Sequence, residues 1–201
     1  MGANPWNSLL PHTSQLLPPG QRGTCQPYLI VCFSLRSTCQ SKLTDRGWHQ
    51  FYTHSMSITF HSYEHLPFPT WRAMWLDYIG PTATTLPEDV HQHTYSRIQS
   101  NRDGLLGLIA VTDRPVGFAH YYFHPSSYSL TDACTLEDLY VSPQARGQGV
   151  GRGLIQAVTA QAKAANAPAL HWKTRLSNTT AQSLYESLAV RTEFICYRKA
   201  L

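Results

Sequence analysis

The sequence predicts an α+β domain, a mixed and largely antiparallel sheet flanked by helices, and three observations carry that reading. Between Gly104 and Ser142 three strand-like runs follow one another, "GLLGLIAVT", "PVGFAHYYFH" and "CTLEDLYVS", and short links between such runs favour antiparallel neighbours. A helix-length stretch, "VGRGLIQAVTAQAKAA", and a further strand-like run, "ALHWKTR", come next. That is the strand–helix–strand order that adds a parallel pair. Between the third strand and this helix, four glycines fall within seven residues, at Gly147, Gly149, Gly151 and Gly153.

The elements can be justified in order, after a break at Met56. Residues 1–55 are rich in Ser, Thr, Gln and Pro, as in "PHTSQLLPPGQRG", and apart from "YLIVCF" they show no sustained period of 2 or 3.6. Such a segment buries too little apolar surface to offset its ordering entropy. Residues 1–55 are therefore expected to be a disordered, low-complexity extension, and 56–201 the functional domain. "SITFHSY" alternates as a strand. "PTWRAMWLDYI" sets Trp71, Met74, Trp75 and Tyr78 at helical spacing behind Thr70, an N-cap residue type. "PEDVHQHTYSRIQS" opens on a proline and two acids, which suits a first helical turn. "GLLGLIAVT" and "PVGFAHYYFH" form a hairpin about Asp113-Arg114-Pro115. After the glycines, Val150, Leu154, Val158 and Ala162 share one helix face. A helix from Asn178 to Leu188 and a last strand, "EFICYRK", complete the chain.

Composition excludes several function classes. The net charge is +4, but Arg22, Arg36, Lys42 and Arg46 against Asp45 place three of those charges in residues 1–55. The nearly neutral remainder lacks the clustered basic surface that nucleic acid requires. No run approaches the roughly 20 apolar residues of a membrane span. The five cysteines form no CxxC pair, so free thiols in a reducing compartment are favoured over zinc or a disulfide framework. His120 and His124 share a strand face about 13 Å apart, too far for one metal ion, and His91 and His93 face different ways on a helix. The reading is a cytoplasmic protein with no metal, nucleic-acid or membrane partner; a homodimer is compatible with it.

Glycines that open a helix let N–H groups project without Cβ obstruction. With the four unpaired donors and the positive dipole end of any helix start, they make a phosphate cradle. Arg146 and Arg152 bracket this one. A Walker loop is excluded because the run ends in Gly-Arg-Gly. A dinucleotide fingerprint fails too, since the sixth position is Arg152 from Gly147 and Leu154 from Gly149. Glycines that serve only close packing are the plain alternative.

"RGQGVG" at 146–151 resembles the R/Q-x-x-G-x-G/A signature of the GNAT acetyltransferases. The resemblance extends through "LEDLYVSPQARGQGVGRGLI" and "HWKTRLSNTTAQSLYESLA", strong from 134 onward and weaker from 56 to 133. "GFAHYYFHPS" and "FICYRKAL" are most similar to the histone and polyamine branch. The resemblance implies a GNAT fold with a V-shaped opening between two central strands, and acetyl transfer from acetyl-CoA to a primary amine by direct attack on the thioester. The acceptor it favours is a small amine such as a polyamine or amino acid; a protein lysine, or an acyl-CoA-binding module without turnover, are the alternatives. Acetyl-CoA would take Arg146, Gly147, Gln148, Gly149, Val150, Gly151 and Arg152 for its diphosphate, the strand edge at Leu139, Tyr140 and Val141 for its pantetheine arm, and Asn178. A backbone N–H near Leu139 would face the oxyanion.

Two side chains are candidates for proton transfer. Tyr185 matches the general acid of the family, although Ala181, Leu184, Tyr185 and Leu188 share a helical face and periodicity alone makes it a core residue. Glu137 is the candidate base, acting through water. Glu137 and Asp138 are adjacent on a strand and point to opposite faces unless a bulge re-aims them.

Overall fold

The computed structural model describes residues 57–80, 86–101 and 103–201. The expectation for residues 1–55 lies outside the described residues. Five strands and four α-helices follow in the order β1 (Thr59–Ser62), α1 (Phe68–Ile79), α2 (Glu88–Ser100), β2 (Leu105–Val111), β3 (Pro115–His124), β4 (Ala133–Val141), α3 (Val150–Ala164), β5 (Leu170–Trp172) and α4 (Thr179–Glu186). The strands lie side by side in chain order. Neighbours from β1 to β4 are antiparallel, and β5 joins β4 in parallel.

Prolines set the starts of the first two helices. The N-cap of α1 is Pro67, not the expected Thr70, whose N–H instead bonds the Pro67 carbonyl. Pro69 falls at the second helical position, where its fixed φ suits the helix and its missing N–H loses nothing. Pro87 caps α2, with Glu88 and Asp89 in the first turn and the dipole in their favour. Asn101 ends α2 in the left-handed conformation at φ 53°, a residue type that tolerates it.

Two apolar clusters show how the sheet is covered. On one face Trp71, Met74, Tyr95 and Ile98 of α1 and α2 pack on Ile109, Phe118 and Tyr140. On the other, Val150, Leu154, Val158 and Ala162 of α3 pack on Phe60, Ala119, Tyr121 and Leu136, the helix face that the periodicity gives. Gly153 makes this approach possible. A Cβ there would lie 2.2 Å from Cζ of Phe60, inside any van der Waals contact.

The C-terminal end departs from the sequence reading. The expected strand "EFICYRK" is absent: residues 189–201 take no regular structure, and Phe194, Ile195 and Tyr197 are exposed. The edge strand nearest in sequence, β5, forms just three residues of ladder. So few hydrogen bonds gain little against an ordering cost of about 1–2 kcal/mol per residue.

Candidate active site

The loop between β4 and α3 has the backbone geometry that the first of the two roles open to its glycines requires. Gly147 and Gly149 have φ of 75° and 84°, and a Cβ on either would meet nothing within 4 Å. Both occupy the left-handed conformation that side chains disfavour; both face open space. The first helical bond of α3 runs from the Gly153 N–H to the Gly149 carbonyl, so the N–H groups of Val150, Gly151 and Arg152 lie ahead of the intrahelical ladder. Such a helix start is positively polarised and can bind an anion such as a diphosphate. Gly151 sits in ordinary contact range of Leu184 and Val141, and Gly153 serves packing. The run therefore divides between glycines that face open space and a glycine that permits close approach.

Arg146 and Arg152 have partners already. Arg146 Nε donates to the Val141 carbonyl at 3.1 Å, and Gln148 Nε2 to the Gln144 carbonyl at 2.9 Å, both stiffening the loop. Arg152 donates to Ser187 Oγ at 2.9 Å, tying the start of α3 to the end of α4. Asn178 caps α4: its Oδ1 accepts from the Ala181 N–H and its Nδ2 donates to Thr174.

Beside the cradle the sheet splays. Cys134, Thr135 and Leu136 pair with Leu170, His171 and Trp172, but β4 continues to Val141 while β5 stops. Along Leu139, Tyr140 and Val141 the outer edge of β4 has no strand partner, which leaves peptide groups for an extended ligand to pair with. The residues present thus fit acetyl-CoA, diphosphate on the helix start and amide arm on the strand edge.

A bulge settles where the two adjacent carboxylates go. Asp138 pairs with His120 and Leu136 with Tyr121, so Glu137 is the extra residue opposite no partner. Glu137 lies at the splayed edge, 3.4 Å from Lys173 Nζ just beyond β5. Asp138 turns toward α1. Its Oδ1 accepts from the Tyr78 hydroxyl and its Oδ2 from His120 Nδ1, each at 2.9 Å. Tyr78 reports the company: burial first, then the charges of Asp138 and Glu137 and the nearby Tyr185, push its phenol well above the usual range. Tyr78 of α1 thus stands beside Asp138 of β4.

Tyr185 packs as its helical periodicity predicts. Its ring meets that of Trp172 edge-on at 5.6 Å and packs at the margin of the core, half-buried. That burial raises its phenol above the ordinary value, which keeps the proton on at neutral pH.

Two groups escape a sequence reading. His120 is fully buried, in contact with Tyr63 and Trp71, and Tyr140 donates its hydroxyl to Asp77 of α1. Strand alternation puts His120 and His124 on one face but does not say that the inner end of that face is dry. Among the described residues no group of three or more His, Cys, Asp or Glu can hold a metal ion, and no helix is long and apolar enough to cross a membrane.

Comparisons with known proteins bear on the family and the fold. Residues 48–189 match the acetyltransferase (GNAT) family. The D-amino-acid N-acetyltransferase HPA3 of Saccharomyces cerevisiae is 35% identical over 132 residues, 64% of this chain and 82% of that protein. The aminoglycoside enzyme AAC(6')-Iy, solved with a CoA bisubstrate analogue, superposes with a TM-score of 0.61 at 23% identity, over 72% of this chain and 99% of its own. A ribosomal-protein-alanine N-acetyltransferase from Brucella melitensis gives 0.62 at 18% identity, over 72% and 100%. These structural likenesses speak for the fold alone. The curated relative is named for D-amino acids, so the narrower histone and polyamine resemblance is not carried forward. The chain belongs to the GNAT family and is an acetyl-CoA-dependent N-acetyltransferase.

Proposed function

We propose that the acceptor is a small zwitterionic amine, an amino acid or close analogue, which attacks the acetyl-CoA thioester directly. The observation that carries this reading is Asp138, a carboxylate only 18% exposed and fixed by two hydrogen bonds. Trp75, Tyr78 and Phe118 stand around it and its partner His120. An ammonium placed there meets a charge in a medium less polar than water and aromatic faces besides. Lys173, 67% exposed on the opposite lip beside Glu137, supplies the cation that an α-carboxylate needs and a polyamine has no use for. The relative named for D-amino acids points the same way.

In this reading the diphosphate of acetyl-CoA lies on residues Gly147 to Arg152 with Arg146 alongside, and Asn178 shapes the α4 side of the opening. Glu137, through water, takes the proton that the ammonium must lose. The amine nitrogen bonds the thioester carbon, the carbon–sulfur bond breaks, the Tyr185 hydroxyl protonates the departing thiolate, and the second proton shed by the nitrogen restores the phenol. Residues 56–201 carry the activity. The free Cys134 and Cys196 fit a reducing compartment such as the cytoplasm.

Thiol release from acetyl-CoA, measured with D- and L-amino acids, their amides, a polyamine, an aminoglycoside and a lysine peptide, tests the acceptor. Amino acids should show the highest kcat/KM, and converting the carboxylate to an amide should lower it on the order of ten-fold, the scale of one hydrogen bond to a charged group. A polyamine or peptide used better than any amino acid would overturn the assignment.

A further inference from the structure

We infer that His120 is a positioning residue for the acceptor: from beneath the sheet surface it donates the hydrogen bond that fixes which way Asp138 presents its carboxylate. This rests on the reading of Asp138 as the ammonium-holding group.

The partners of His120 assign its proton. An indole N–H can only donate, and Trp71 Nε1 lies 3.3 Å from His120 Nε2. The Tyr63 hydroxyl lies 3.0 Å from the same nitrogen. Nε2 therefore presents its lone pair to both, and a proton there would collide with the indole N–H. The one ring proton sits on Nδ1 and points at Asp138 Oδ2, 2.9 Å away. The ring cannot swing to another arrangement. It has no exposed surface, Phe118 stacks on it at 4.6 Å between centroids and 18° between planes, and Trp71 and Trp75 flank it.

These contacts also exclude two other roles. Nε2 faces Trp71 and Tyr63, and Nδ1 is spent on Asp138, so no ring nitrogen is left to take a proton from a substrate. Simple core filling does not account for it either, since an imidazole is seldom wholly buried without use for its polar atoms. The order reverses the arrangement in which a carboxylate orients a histidine. Here the histidine orients the carboxylate. With Tyr78 on Oδ1 and His120 on Oδ2, the carboxylate plane is set by β3 on one side and α1 on the other, and the remaining lone pairs are free for an ammonium.

Two substitutions divide the ring between its partners. In His120→Asn the amide nitrogen falls where Nδ1 was and keeps a donor to Asp138. In His120→Gln the amide falls where Nε2 was and keeps a partner for Trp71 and Tyr63 but not for Asp138. The expected result is an amine KM close to the parent for His120→Asn and raised roughly ten-fold for His120→Gln, with acetyl-CoA affinity unchanged in both. If the ranking instead follows melting temperature, or His120→Gln keeps the parental KM, His120 is structural only and the inference fails. Asp138→Asn separates the two levels: an unchanged amine KM there defeats the acceptor reading itself, whatever His120 does. Should the histidine variants fail to fold, ¹⁵N–¹H correlation of the imidazole in the parent protein decides. The inference requires the proton on Nδ1 of His120, and a proton on Nε2 overturns it.

Discussion

Tyr185 meets Trp172 edge-on and packs at the margin of the core. In the proposed mechanism this phenol, protonated at neutral pH, gives its proton to the departing thiolate. Tyr185→Phe keeps the packing and removes the oxygen, so kcat should fall roughly ten-fold or more while acetyl-CoA affinity changes little. The alkaline limb of the kcat–pH profile should change with it. Equal turnover across pH 6–10 would return Tyr185 to a packing role. At this scale the sequence shows residue types well and surroundings poorly. Tyr185, Glu137 and the glycines can be found through a local motif. His120 cannot, because its partners Tyr63 and Trp71 lie 57 and 49 residues away along the chain. Asp138 emerges as the better-held carboxylate only once the bulge at Glu137 is seen, and nothing in "LEDLY" marks a bulge.

At the scale of elements, the start of α3 is the part to which we assign cofactor binding as a proposal. Gly149 holds φ at 84°, so any substitution carries backbone strain, and the informative comparison is between two residues of similar shape that both visit that conformation. Gly149→Asn and Gly149→Asp should melt within a few degrees of each other. The aspartate should bind acetyl-CoA at least ten-fold more weakly than the asparagine by calorimetry, because only it sets a negative charge against diphosphate. Equal affinities would remove the cradle from this loop. The helix itself is plain in the sequence: its buried face has a clean period and its glycines a clear position. The last strand is not, since alternation in "EFICYRK" records a capacity to pair and the pairing depends on an edge long enough to receive it. β5, three residues long, does not provide one.

Across the whole molecule, the sheet is buried between α1 and α2 on one side and α3 on the other, and many of its polar contacts on the first side are tyrosine hydroxyls. Burial raises the phenols of Tyr63, Tyr78, Tyr95, Tyr140 and Tyr185. A raised folded-state value gives stability that is complete below the unfolded value, about pH 10, and is lost as pH climbs through the folded one, because only the unfolded chain then releases its protons. The melting temperature should hold level to about pH 9.5 and fall steeply by pH 11; a level curve to pH 11 would show that these phenols are not buried as described. The same architecture decides how the acetyl group travels. The proposed cofactor edge and the proposed acceptor carboxylate lie on one strand, β4. Of the two described cysteines, burial pushes the Cys134 thiol up to about 11, and Cys196 lies on the exposed C-terminal segment, so neither offers a thiolate at the splay. Transfer should pass directly from thioester to amine within a ternary complex. Initial rates with acetyl-CoA and an amino acid both varied, together with intact mass of the protein after acetyl-CoA alone, test this most directly. The account predicts intersecting double-reciprocal lines and an unmodified protein mass; parallel lines with a stoichiometric gain of one acetyl group would contradict it.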